Sequence, residues 1–182
     1  MSHRAQLLDE ALLYLFSFDV ETNMDRQELG FVPGGVRITL FARPNLSLVY
    51  HLYRARTIPG LGFEAINGTL TWGGDWIYWR EDDIEFSDVR ATINTHDNAK
   101  IHMSYPIVAD LGPGGFRRIV SEKEKIGKEK APVNWPVVTA PLFETADVRY
   151  RWLMDYQCVG FGFVQVIRSE IRRLTYDIYA MT

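Results

Sequence analysis

Short alternations of apolar and polar residues, broken by glycine, proline, asparagine and aspartate, run along most of the chain and predict strands rather than helices. Leu13–Val20 reads as a first strand, with a short helix over Gln6–Leu12 before it. Gly34-Gly35 turns into Val36–Phe41, which alternates with the period of two that leaves one face buried. After Pro44-Asn45, the β-prone run Ser47–Tyr53 reads as another strand. Asn67-Gly68 and Gly73-Gly74 predict turns around short strands, because glycine and asparagine tolerate positive φ.

Ile84–Ile93 and Lys100–Tyr105, joined by Thr95-His96-Asp97-Asn98, predict a hairpin. Phe116 to Lys125 has helical spacing, and Pro132, Pro136 and Pro141 stop any helix beyond it. The charges of Glu122–Lys125 and Lys128–Lys130 read as a solvated face and a surface loop. Three strands, over 148–157, 159–168 and 171–180, complete the chain. The expected fold class is all-β with one or two short helices: a mostly antiparallel, closed or nearly closed β-barrel of the lipocalin (calycin-like) type. Such closure removes the strand edges an open sheet must protect. With neither linker nor repeat, residues 1–182 read as a single β-barrel domain.

Composition narrows the function classes. A hydrophobic content of 47% over 182 residues supplies one real core. A net charge of −3 argues against a nucleic-acid surface, which needs a basic excess. No stretch approaches the roughly 20 apolar residues of a membrane span. Asp9 and Glu10 interrupt the apolar start, so no secretory signal is read. The single cysteine, Cys158, excludes an internal disulfide and fits a reducing, cytoplasmic location. It reads as a small buried hydrophobe.

Four motifs in order then carry a resemblance. They are Gly68-Thr69-Leu70 with Gly73-Gly74-Asp75-Trp76; Asp88-Val89-Arg90 before Thr95-His96-Asp97; Thr139-Ala140-Pro141 with Phe143-Glu144-Thr145; and Tyr150-Arg151-Trp152-Leu153 before Val159-Gly160-Phe161-Gly162. Over residues 12 to 180 the chain resembles the bacterial and fungal family catalogued as domain of unknown function 3237. The resemblance implies a small single-domain barrel. In its fungal members it implies a cofactor-free cyclase of polyketide and meroterpenoid pathways, adding a phenol oxygen to a prenyl alkene (hydroalkoxylation). The chain departs from the bacterial pattern at Met154, where the motif has asparagine. It departs again at His102 and Ser104, where tyrosine and arginine are usual, and in a longer segment around Phe41 to Gly62.

The residues offer acid–base chemistry. Asp75 and Glu144 both lie beside turn residues and large aromatics, and a carboxyl held against Trp76 or Trp152 would be desolvated, its pKa raised toward that of a general acid. The other reading has Asp75 cap its own turn and Glu144 accept backbone N–H bonds. Asp88, Arg90, Thr92 and Asn94 share one strand face, and His102 and Ser104 share one face of the partner strand. The expectation is that both stripes point into the barrel as a polar wall, where His102, Arg90 or Arg149 stabilises a phenolate; facing outward, Asp88 and Arg90 would be a surface ion pair of little value. Tyr105, Tyr176, Trp76 and Trp152 are the aromatics expected around a flat polycyclic ligand.

The candidate catalytic set is therefore Asp75, Glu144, His102 and Arg90. The candidate substrate-binding set is Trp76, Asp88, Ser104, Tyr105, Arg149, Trp152, Met154 and Tyr176. The histidines lack metal spacing, and Gly160-Phe161-Gly162 lacks the rest of a dinucleotide fingerprint, so neither metal nor cofactor is expected. The expected partner is a small aromatic, prenylated substrate, with no nucleic acid and no membrane; exposed strand edges leave room for a homodimer. Two other activities stay open: a non-catalytic carrier of a small hydrophobic aromatic metabolite, and an isomerase or hydratase using the same acid–base residues.

Overall fold

Period-two burial organises the chain. On strand β6, Lys100–Asp110, the residues Ile101, Met103, Tyr105, Ile107 and Ala109 are buried while those between them are more exposed. A computed structural model describes residues 12–21, 24–42, 66, 68–121, 133–167 and 170–181. The expected helix over Gln6–Leu12 (but for Leu12), the strand Ser47–Tyr53 and the charged run after Ser121 lie outside them. Among the described residues there are ten strands: β1 Leu12–Glu21, β2 Met24–Val32, β3 Gly35–Ala42, β4 Gly68–Arg80, β5 Ile84–Thr95, β6, β7 Val133–Thr139, β8 Leu142–Glu144, β9 Gln157–Ile167 and β10 Glu170–Met181. One short helix, α1 Gly115–Ser121, and a 3₁₀ helix, Arg151–Asp155, accompany them.

Every described pairing is antiparallel, in the order β1-β10-β9-β7-β6-β5-β4-β3-β2, with β8 also pairing β6. The two ends of that path, β1 and β2, follow one another directly in the chain. Three residue steps separate Glu21 from Met24, a reach of about 11 Å at most. The sheet must therefore curl until the end of β1 comes near the start of β2, and, with these two strands not paired to each other, it is a nearly closed barrel. Its inward faces form one hydrophobic core that includes Phe16, Ile38, Ile77, Ile93, Ile101, Leu153 and Ile178.

The β5–β6 hairpin forms as expected, its turn closed by Thr95 N–H to Ala99 O (2.9 Å) with Asn98 at φ 66°. Two expectations need correction. Gly73 and Gly74 lie inside β4, paired with Ala91 and Arg90, and make no turn. The strand expected over 148–157 is absent up to residue 156, and Gln157 already opens β9: Arg149 N–H donates to Asp147 Oδ1 (3.0 Å), Tyr150 N–H to Asp147 O (3.1 Å) and Leu153 N–H to Tyr150 O (3.1 Å). These local bonds give the backbone a turn in place of a ladder.

Asp83, at φ 66°, joins the β4–β5 turn to α1. Its carboxylate accepts the N–H groups of Gly114 (2.8 Å) and Phe116 (2.9 Å), which hold its pKa below the ordinary value.

Candidate functional site

The barrel wall divides the expected site residues. On β5 the inward face is Glu85, Ser87, Val89, Ala91, Ile93 and Thr95, so Asp88 and Arg90 point outward and are exposed. The polar stripe thus faces away from the core, because Ala91 and Ile93 outcompete it for burial at about 25 cal/mol per Å² of apolar surface. Register places His102 beside Thr92 and Glu144, and Ser104 beside Arg90 and Leu142. Together with Asp88 and Pro106 they line an open outer cleft of about 350 Å³. Arg90 lies 3.2 Å from Asp88 and 6.0 Å over the ring of Trp76, which is itself exposed.

Asp75 stands on the other side of that wall. It projects inward from β4, only 4% exposed, with Ile77 and Trp79 following on the same face. Asp75 and Glu144 therefore do not converge. What Asp75 meets is Glu85, 1% exposed, and Ser87, two inward residues of β5 that composition and spacing did not single out. Trp79 Nε1–H donates to Glu85 Oε2 at 2.7 Å, and Ser87 Oγ–H donates to Glu85 Oε1 at 3.1 Å. Ser87 also lies within hydrogen-bonding reach of Asp75.

Burial above all, then the charge of Glu85, against a lowering by the Ser87 hydroxyl and with a smaller push from Asp88, moves the Asp75 carboxyl well above its ordinary range. Burial raises Glu85 too, but the bonds from Trp79 and Ser87 stabilise its anion. Asp75 Oδ1 has no hydrogen-bond partner among the described residues. The interior thus holds two buried carboxyl groups, both with raised pKa, of which Glu85 has two hydrogen-bond donors.

Two tyrosines complete the setting. Tyr105 of β6 and Tyr176 of β10 meet edge to face, ring centroids 6.0 Å apart. Burial raises the Tyr176 phenol well above its ordinary pKa, and the nearby Tyr105, Asp75 and Glu85 add to the shift. Tyr176 thereby reaches from β10 into the field of the carboxyl pair. Among the described residues, no three histidine, cysteine, aspartate or glutamate side chains group to hold a metal.

Arg149, Trp152 and Met154 lie elsewhere again. Arg149 donates to Asp147 through Nε (2.9 Å) and Nη2 (2.6 Å), and to Asp97 through Nη1 (2.5 Å), while Tyr150 Oη–H donates to Asp97 Oδ2 at 2.9 Å. This clamp fastens the 3₁₀ segment to the β5–β6 turn, so two of the motifs behind the resemblance meet as structure. Trp152 packs partly buried against the core, and Met154 is 52% exposed. The bonds from Arg149 lower Asp147 from 3.8 to about 2. A depressed carboxylate stabilises the fold above its unfolded pKa and loses that contribution as pH falls through the folded value. Asp147→Asn is expected to lower the melting temperature at neutral pH, with the difference from wild type vanishing below about pH 2; thermal melts across pH check this.

Fold and site together define a small antiparallel β-barrel with a buried carboxyl pair inside it. The family model for proteins of unknown function DUF3237 matches residues 46–181, and the chain belongs to that family. Among curated proteins nothing matches. Among solved structures the chain is similar to a conserved protein of unknown function from Rhodopseudomonas palustris, at 21% identity and TM-score 0.65, covering 94% of this chain and 97% of that one. It is similar to a β-barrel-like protein from Acinetobacter baumannii, at 21% identity and TM-score 0.65, covering 94% and 95%. A looser likeness, TM-score 0.49 at 18% identity over 94% and 93% of the two chains, is to an enzyme from Penicillium herquei. The first two likenesses are of fold alone, and the third is too loose to bear on function.

Proposed function

We propose that the protein is a cofactor-free acid–base catalyst working inside the barrel, and that its reaction is the ring closure of a prenylated aromatic phenol. The observation that carries this reading is the Asp75 carboxyl: buried, its pKa raised by that burial, and with Oδ1 lacking any partner among the described residues. A barrel that only carries a ligand needs shape and apolar walls, whereas a buried acid beside a second carboxyl costs stability and repays it only through chemistry. The hydroalkoxylation itself comes from the family resemblance.

The step balances without a co-reactant. The Asp75 proton goes to the less substituted alkene carbon, forming a C–H bond and leaving the positive charge on the more substituted carbon. The phenol oxygen forms the C–O bond there, and its proton returns to the Asp75 carboxylate, so substrate and product are isomers. Glu85, fixed by Trp79 and Ser87, places negative charge near the developing cation. Tyr105 and Tyr176 supply an aromatic wall for the ring system.

Incubation of the protein with a prenylated polycyclic phenol, followed by chiral chromatography against a protein-free control, tests the reading. One enantiomer forming above background is expected, and Glu144→Gln, altered only in the outer cleft, should keep the wild-type rate. A racemic product at the background rate would overturn the cyclase reading.

A further inference from the structure

Two acids share the barrel interior without a base. Among the described residues, Asp75 and Glu85 are the buried carboxyl side chains, and no lysine, arginine or histidine is buried with them. Two carboxylates would leave two like charges in an apolar core with no cation to offset them, and a buried pair of that kind takes up a proton instead. One hydroxyl serves both. Ser87 lies within hydrogen-bonding reach of Asp75, and its Oγ is 3.1 Å from Glu85 Oε1. A hydroxyl has a single proton, so it cannot donate to both carboxylates at once.

The remaining donor decides between them. Trp79 Nε1–H, 2.7 Å from Glu85 Oε2, can donate and cannot accept, so it favours the anion at Glu85. Asp75 Oδ1 has no hydrogen-bond partner among the described residues. The neighbouring strands do not alter the balance. β3 sets the apolar Leu40 opposite Asp75. β6 and β10 bring Tyr105 and Tyr176, and phenols stay neutral until about pH 10. Asp88, on the outer face of β5, adds only a weaker like charge.

We propose that Asp75 and Glu85 form one coupled pair that holds a single proton at neutral pH, with Glu85 as the positioning residue that keeps this proton on Asp75. Its use as a catalytic proton rests on the acid–base function proposed above; the pair itself is a property of the folded protein.

Carbon-13 NMR of the full chain, labelled at the aspartate and glutamate carboxyl carbons and titrated from acid to alkali without substrate, tests this. Loss of a signal in Asp75→Asn and in Glu85→Gln identifies the two carbons. In wild type Glu85 is expected to ionise first, and Asp75 to stay protonated through neutral pH and titrate in a separate, later step. Glu85→Gln should lower the Asp75 midpoint by about one pH unit or more, a tenfold loss of proton affinity. Glu85→Asp, which keeps the charge, should restore part of that shift. Trp79→Phe should also lower the Asp75 midpoint, because Glu85 without its indole donor competes for the proton. Glu144→Gln, in the outer cleft, should leave it in place. Asp75 ionising before Glu85, both ionised at neutral pH, or an Asp75 midpoint unmoved in folded Glu85→Gln would each overturn the proposal. Titration as expected without ring closure would uphold the pair and remove the cyclase; ring closure with two carboxyls titrating independently would do the reverse.

Discussion

Asp75→Asn is expected to abolish turnover and to raise thermal stability in the same molecule. Losing a positioned general acid costs about 10²–10⁴-fold in rate, and asparagine keeps the shape while removing the transferable proton. The stability argument is one of proton linkage. Asp75 has its pKa raised in the folded state, so at any pH between the unfolded and folded values the folded chain holds a proton that the unfolded chain has released. Stability then falls as pH rises across that window, by about 1.4 kcal/mol per pH unit for one group. Below the unfolded value both states are protonated and the penalty vanishes.

Asparagine does not titrate, so the variant escapes the penalty. Thermal melts should coincide for the two proteins in acid and separate in favour of Asp75→Asn toward alkaline pH. Glu85→Gln should behave differently, because it replaces the acceptor of both the Trp79 and the Ser87 bonds. Gain of stability with loss of turnover is the signature of a residue kept for chemistry. An Asp75→Asn protein that melts below wild type in alkali would mean that Asp75 is charged in the fold, and the proton-donor mechanism would fail with it.

Asp75 was legible as a desolvated acid because large aromatics surround it in the chain; its partner was not. The stripe Asp88, Arg90, Thr92, Asn94 looked chemical, whereas the face that turned inward carries Ala91 and Ile93 and brings Glu85 and Ser87 with it. Register decides this, since a shift of one residue exchanges the two faces of a strand. Glu144 lies opposite His102 only because the three residues of β8 pair with β6, a contact between segments about forty residues apart that no local pattern announces. Strands β2 and β7 escaped for local reasons. Asp25-Arg26-Gln27-Glu28 gives β2 no alternation, and Pro136 interrupts β7 just beyond the three pairs that tie it to β6. By contrast β3, β5, β6 and β10 alternate cleanly and were readable.

The glycines of β9 carry the largest expected effect on the fold. A Cβ on Gly162 would sit 1.7 Å from the carbonyl oxygen of Thr175 and 2.7 Å from its carbonyl carbon. Those atoms belong to β10, whose ladder with β9 runs the length of both strands. No rotamer change can relieve a collision with backbone, so β10 would have to move away and carry Tyr176 and Ile178 out of the core. Gly162→Ala is therefore expected to cost more than about 4 kcal/mol, in the range reserved for disrupted cores. It should appear as insoluble protein or a collapsed urea midpoint. Gly114→Ala provides the contrast, because nothing lies within 4 Å of its Cβ position and only its φ of +70° opposes a side chain, a penalty of roughly 1–2 kcal/mol. A Gly162→Ala protein as stable as Gly114→Ala would show that β9 and β10 are not held this close. The Tyr105–Tyr176 contact above the carboxyl pair would then lose the support that places it.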